Sequence, residues 1–394
     1  MDVNRSGITA IMVVIPLVVT IGCHRQSKSS PDNAQPTPNS GAPSSVVPSI
    51  PPYPEKDIVT LRVPISASSF HYGATVIGDK YGFYKARGIK LKYVTVPPGT
   101  GPTIDALKKG EIDVFSGGTG HPDGFIDALL AGVKVKAVIG ITKGHPNFPH
   151  DTAWVPIDSP IKEPKDIIGK RVGGIATSGW TQGCAAFYWS QYFKKHDISP
   201  DQVINAVVPP QQQEQALQQG SIDILTIDPP LTGLIATSGK YRQLWSSWDV
   251  AKGDVIEKQD ADVSVAGFTE DYIQKNPDVV KRYVRATIQA LAYVVDNHEA
   301  YIDWARTRTG WQPGIHDGGD FQIWSTGLVR PKGIQKWIDW KVELGQLKAG
   351  QLQPSDLYTN EFNPYAAYAM NDAEKNPTYW DSLPKEFLYL PIRK

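Results

Sequence analysis

The chain has 394 residues, 40 basic and 40 acidic side chains, and a formal net charge of zero. That length accommodates about two domains of ordinary size. The neutral balance excludes a nucleic-acid binder, which needs basic surface to displace phosphate counterions, and with two Cys no disulfide framework, zinc ribbon or iron–sulfur cluster can be assembled from this chain alone.

Ile8 to Ile21 is an apolar run interrupted only by Thr9, Pro16 and Thr20. It is too short to span a bilayer comfortably and suits the core of a signal peptide covering 1–22. The run ends in Thr20-Ile21-Gly22-Cys23, which resembles a bacterial lipobox, so Cys23 is expected to carry a lipid. From Pro31 to Pro54, eight of 24 residues are Pro, a composition that stays extended and semi-rigid. Residues 23–57 therefore read as a lipidated Cys and a Pro/Ser-rich linker that holds a globular body off a membrane. Removing 1–22 takes away one Asp and one Arg, so the mature chain stays neutral. Cys184 is then left without an intramolecular partner and reads as a small buried hydrophobe.

The body contains one unit twice. Ala106-Leu107-Lys108-Lys109-Gly110-Glu111-Ile112-Asp113 recurs 110 residues later as Ala216-Leu217-Gln218-Gln219-Gly220-Ser221-Ile222-Asp223. Each copy reads as the last turn of a helix, a Gly suited to a left-handed C-cap, and a short apolar strand. Upstream, Val96-Pro97-Pro98 corresponds to Val208-Pro209-Pro210, and Leu61-Arg62-Val63 to Lys170-Arg171-Val172. The first copy predicts a strand over 61–66, a helix near 72–86, a strand over 90–96, a short helix and a third strand. The second predicts a strand over 171–176, a helix over 180–195, a strand over 202–208, and the same ending. This βαβαβ order implies an α/β protein with a parallel sheet in each lobe, covered on both faces, and ligands at the carboxyl ends of the strands. Residues 276–307 show apolar positions at helical spacing behind Pro277. Further helices are expected over 333–347 and 364–374, packed back on the first lobe.

Two such lobes place four loops around one cleft. Ser68, Ser69, Phe70 and His71 follow the first strand of lobe one; Ser178, Gly179, Trp180 and Thr181 follow that of lobe two. Both loops put hydroxyls and an aromatic at a helix start, where free N–H groups favour an anion or a carbonyl oxygen; as plain N-caps the hydroxyls would serve the helix alone. Ser116, Gly117, Gly118, Thr119 and His121 follow the third strand of lobe one, where glycines let the backbone approach a ligand. Asp228 holds the matching place in lobe two and could accept a hydrogen bond from an amine. These loops carry no Lys or Arg, so a neutral molecule or a monoanion fits better than a phosphate. Phe70 and Trp180 could sandwich a planar group. No phosphate-binding loop, Gly-x-Ser-x-Gly elbow, His-Glu-x-x-His or Cys-x-x-Cys is present, and no cofactor is indicated. His145 and His150, beside Asp151, read as exposed loop histidines rather than metal ligands.

The body resembles the substrate-binding proteins of ABC importers for nitrate, sulfonates, taurine and thiamine-pyrimidine precursors. The resemblance is carried by Gly78-Asp79-Lys80-Tyr81-Gly82-Phe83-Tyr84 with Gly88-Ile89, by 106–113, by Pro164 to Val172, by Asn276 to Arg282, and by Ser355-Asp356-Leu357-Tyr358. It implies a two-lobed periplasmic-binding-protein-like fold of type II with a helical C-terminal extension: lobe one over 58–155, lobe two over 156–263, and a return to lobe one over 264–394. The hinge crossings are placed near 154–158 and 263–268. The expected function is capture of a small organic anion, sulfonate-, nitrate- or taurine-like, and its delivery to a permease by an extracytoplasmic, lipid-anchored monomer with no enzymatic activity. The alternatives are a heteroaromatic amine ligand held by Asp228, and an enzyme on the same fold using His71 or His121. The related thiamine-pyrimidine synthases use a Cys-rich motif that the lone Cys184 does not reproduce.

Overall fold

The computed structural model describes residues 54–65, 73–97, 99–116, 120–142, 144, 146, 149–174, 179–228, 231–253, 264–297, 299–300, 304 and 326–366. The expected signal peptide, Cys23 and almost all of the linker lie outside the described residues, as does the expected helix over 364–374 beyond residue 366. Among the described residues, no helix is long and apolar enough to cross a membrane.

Lobe one begins with β1 (Val59–Ile65), which pairs in parallel with β2 (Ile89–Thr95), Val59 opposite Ile89. The helix between them, α1 (Gly73–Lys80), is shorter than its sequence pattern predicts. Gly82, at φ 79°, takes a backbone conformation that stops the helix, and the chain continues as a 3-10 turn over Lys85–Arg87. Next come α2 (Thr100–Lys108), α3 (Pro122–Leu130) and β3 (Val135–Gly140). The predicted third strand is reduced to a single bridge between Phe115 and Gly267.

Lobe two contains β4 (Thr152–Pro156), β5 (Arg171–Gly173), α4 (Cys184–His196), β6 (Ile204–Ala206), α5 (Pro210–Gln218), β7 (Ile224–Ile227), α6 (Leu231–Thr237), β8 (Tyr241–Ser246) and α7 (Ser247–Val250). Its sheet runs in the order β6-β5-β7-β4-β8. The β5 pairings are parallel, as the repeat requires, but β4 runs antiparallel to both β7 and β8. The sheet is therefore mixed, because the segment that enters lobe two inserts itself as a strand. The stretch 154–158, read as a hinge crossing, overlaps this strand.

The chain returns through β9 (Val265–Thr269), antiparallel to β3. The outgoing and returning segments are joined beside this pair: the Ser264 N–H donates to Thr142 Oγ1 at 2.8 Å, and the two hydroxyls lie 2.8 Å apart. After α8 (Glu270–Lys275), the long helix α9 (Pro277–Asp296) lays its apolar face on lobe one. Gly78 of α1 permits this approach, since a Cβ there would stand 2.6 Å from Ala290 Cβ. Tyr84 Oη and Thr287 Oγ1, 2.9 Å apart, link the same surfaces. Helix α10 (Pro331–Glu343) and α11 (Pro354–Leu357) complete the described chain. Trp337 and Trp340 of α10 belong to an apolar cluster containing Phe125 of lobe one and Phe187 and Trp189 of lobe two, so one core runs through the lobe junction.

The repeat has a physical counterpart. In lobe one, Asp113 accepts the Arg62 backbone N–H at 2.7 Å and the Arg62 Nε–H at 2.9 Å. In lobe two, Asp223 accepts the Arg171 backbone N–H at 2.8 Å and the Arg171 Nε–H at 2.9 Å. Asp113 and Asp223 also donate their own N–H groups to the carbonyls of Arg62 and Arg171, each at 2.8 Å. The Arg171 guanidinium holds the Asp223 carboxyl below the usual range. Asp223→Asn should therefore cost less than about 1 kcal/mol near neutrality, because the half-exposed pair is screened by solvent. The folded-state value is depressed, so the stabilisation is complete above the unfolded value of about 3.9 and lost as pH falls through the lower folded value. Urea unfolding of wild type and variant at several pH values checks this: the gap should shrink only on the acid side.

Candidate functional site

Two helix starts face each other at the lobe junction. In lobe one, His121 is the N-cap of α3, with Pro122 at the first helical position and Asp123 behind it. In lobe two, Gly183 caps α4 at φ 85° and Cys184 is its first residue. The Gly183 N–H donates to Asp123 Oδ2 at 2.8 Å. A carboxylate is favoured where unpaired N–H groups and the helix dipole are positive. Burial pushes the Asp123 carboxyl up, opposed by the charge of Lys341 and by the N–H groups of Gly183 and Gly124. One turn further on, Asp127 accepts from Gln182 Nε2 at 2.7 Å and from Lys341 Nζ at 2.9 Å. Lys341 is 1% exposed, so α10 contributes a buried cation to the same joint.

Beside this joint lie His121, His150, Asp151 and Cys184. His150 is 2% exposed and Asp151 fully buried. They are held by the start of α7: the His150 N–H donates to Ser247 Oγ at 2.9 Å, and the Ser247 N–H donates to the Asp151 carbonyl at 2.7 Å. Asp151 Oδ2 is 3.9 Å from His150 Nε2. The His121 ring meets His150 edge-on at 4.9 Å and stacks on Trp337 at 5.6 Å, which in turn stacks on Phe187 at 4.3 Å. The Cys184 thiol is raised well above its ordinary value, first by burial, then by the charges of Asp151, Asp228 and Asp123 and a hydrogen bond to Asp151. A nucleophilic thiol needs the opposite setting, a nearby positive charge that favours thiolate. The arrangement instead suits a group bearing positive charge.

The structure thus joins residues from both lobes and from the crossing between them. Of the loop residues singled out in the sequence, Ser116 and His121 are buried at the end of lobe one's repeat unit, and Asp228 follows β7. Gly179, Trp180 and Thr181 form a 3-10 turn before α4. The Trp180 ring packs edge-on against Trp189 and Phe193 of its own lobe, at 5.9 and 5.0 Å. Ser68, Ser69, Phe70, His71, Gly117, Gly118, Thr119, Ser178 and His145 lie outside the described residues. The reading of His150 as an exposed loop histidine is corrected: α7 and the neighbouring helices cover it. Asp123, Asp151 and Cys184 were not singled out as site residues. The available signal was their position, since Asp123 and Cys184 each stand within three residues of a predicted cleft residue.

The carboxylates around Cys184 have a measurable consequence. In a Cys23→Ala background, alkylation of Cys184 should show a pH midpoint well above the thiol's usual value of about 8.5. Asp228→Asn and Asp151→Asn should each lower that midpoint by removing a negative charge. Iodoacetamide modification followed by mass spectrometry across pH is the measurement, and an unchanged midpoint in both variants would rule out the electrostatic coupling.

The path of the main chain is similar to that of solved periplasmic proteins. The aliphatic sulphonate binding protein SsuA from Escherichia coli aligns with a TM-score of 0.60 and 18% identity, over 79% of this chain and 99% of that one. The nitrate-binding protein NrtA from Synechocystis aligns with a TM-score of 0.57 and 12% identity, over 86% and 93%. The desulfurization enzyme DSZB aligns with a TM-score of 0.55 and 16% identity, over 77% and 97%, so this architecture also carries an enzyme. These likenesses establish the two-lobed periplasmic-binding-protein-like α/β fold. No curated protein matches the sequence. Residues 70–300, more than half of the chain, match the family described as NMT1/THI5 like, and the protein belongs to that family.

Proposed function

We propose that the protein is an extracytoplasmic solute-binding component of an ABC importer, tethered through Cys23, that holds a small molecule between its lobes and passes it to a permease. The solved relatives described as sulfonate- and nitrate-binding support the general role. A binding protein of this kind works by population shift: contacts with both walls favour the closed state, so losing either wall removes tight binding.

The reading of the ligand class rests on the acidic character of the joint: Asp123 sits against the start of α4, Asp151 lies beside His150, and Asp151, Asp228 and Asp123 act together to push the Cys184 thiol up. Lys341, the cation of the joint, is paired with Asp127. A sulfonate or nitrate entering here would meet buried negative charge, which is costly unless a cation comes with it. A heteroaromatic amine fits better: its ring lies against apolar and aromatic side chains and its amino or protonated ring nitrogen donates to Asp228. Between the two ligand classes open in the sequence, we therefore favour the amine.

Thermal-shift measurements on the full chain, freed of metal with a chelator, test this against aminopyrimidines, alkanesulfonates, taurine and nitrate. An aminopyrimidine at a hundred times its Kd should stabilise the protein by about 2.7 kcal/mol, and Asp228→Asn should weaken binding at least about tenfold, or about 1.4 kcal/mol. Stabilisation by sulfonate or nitrate alone would reverse the ligand class, and conversion of the bound compound would reassign the protein as an enzyme.

A further inference from the structure

An imidazole nitrogen of His121, one of His150 and Sγ of Cys184 lie within 4.8 Å of one another. They come from three separate places: the start of α3 in lobe one, the crossing before β4, and the start of α4 in lobe two. We propose that these three side chains form a binding site for a divalent transition-metal ion of the zinc class, one that fastens lobe two to lobe one.

The donor set is two imidazoles and a thiol. Such nitrogen and sulfur ligands select zinc-like ions over magnesium or calcium, which prefer oxygen. Zinc binds imidazole at about 2.0–2.1 Å and thiolate at about 2.3 Å. A tetrahedral site then needs donor separations of about 3.4–3.6 Å, so the longest edge of the triangle contracts by no more than about 1.4 Å. Rotation of the imidazoles and a small approach of α4 toward α3 supply that contraction, which is why the ion would couple to lobe closure.

The electrostatics point the same way. Asp123, Asp151 and Asp228 burden a neutral thiol site with negative charge, and a bound cation reverses the balance by favouring the thiolate. When the metal–sulfur bond forms, the thiol proton leaves to solvent, with no oxidant or reductant involved. A dication, the Cys184 thiolate and the Asp151 carboxylate sum to zero charge, which leaves Asp123 and Asp228 as the carboxylates beside the site. Asp151, whose Oδ2 is 3.9 Å from His150 Nε2, is placed as fourth ligand or as the group that orients His150, the arrangement metal-bound histidines usually show.

The site does not depend on which organic molecule the cleft carries, so its failure and that of the amine reading are separable. The full chain, stripped with chelator and exchanged into metal-free buffer, is titrated with Co²⁺. The expected result is a sulfur-to-cobalt charge-transfer band and intense visible bands of a four-coordinate ion, saturating at one equivalent and displaced by Zn²⁺. Cys184→Ser should abolish the charge-transfer band, Cys23→Ser should keep it, and His150→Gln should weaken Co²⁺ binding at least tenfold, each variant being checked for folding by circular dichroism. Should Cys184→Ser fail to fold, the His150→Gln titration decides. Absence of the charge-transfer band in wild type, its persistence in Cys184→Ser, or unchanged affinity in His150→Gln overturns the proposal. A lost cobalt signal with ligand-induced thermal shifts intact would remove the metal site alone.

Discussion

Each lobe is closed by the same clasp. An Arg on the first strand of the unit (Arg62 or Arg171) meets an Asp at the end of the repeated segment (Asp113 or Asp223) through side-chain and backbone hydrogen bonds in both directions. The clasp fixes where the strand, the helix and the Gly-capped turn stand relative to one another. Gly110 and Gly220 take φ near 65° and 68°, which lets the chain leave α2 and α5 and present the carboxylate to its arginine. Because the Asp is placed just before the loop that ends each unit, the clasp also sets where Ser116 and Asp228 emerge. The geometry of the cleft thus rests on an interaction outside it.

The joint between the lobes combines two kinds of force. One is apolar: Phe187, Trp337 and Trp340 bring lobe two and α10 into a core that also contains Phe125 of lobe one. The other is polar and directional: Asp123 receives Gly183, and Asp127 receives Gln182 and Lys341. Apolar contact tolerates small sliding, whereas hydrogen bonds to buried carboxylates do not, since breaking one leaves a buried charge unsatisfied. On the proposed reading, lobes that part would expose both carboxylates to water, and a molecule held between them would shift the balance only through contacts it makes in one state.

The charge distribution gives the site its chemical character. Net charge is zero over the whole chain, yet three carboxylates act on a single thiol at the junction. Such a local imbalance is expensive without a cation, and groups perturbed in this way cluster at functional sites. An amine and a soft metal ion answer the same imbalance in different ways, one through hydrogen bonding to carboxylate, the other through imidazole and thiolate.

The duplication, the Gly caps, the strand and helix order and the family resemblance were legible in the sequence, because they depend on local propensity and on a motif repeated along one chain. Arg62 and Arg171, like Asp113 and Asp223, stand at matching positions of the repeat. Two things escaped that reading. The mixed lobe-two sheet arises because the crossing segment Thr152–Pro156 finds its partners in β7 and β8, strands more than seventy residues away. The junction cluster escaped for the same reason: His121, His150 and Cys184 share no spacing, and only the packing of α3, α4, α7 and α10 brings them together. The sequence by itself determined the α/β order, the internal duplication and four glycine- and hydroxyl-bearing loops that lack Lys and Arg. Tertiary structure alone decided that the lobe junction is an acidic joint bearing two buried histidines and a thiol, since burial and charge proximity depend on residues far apart in the chain.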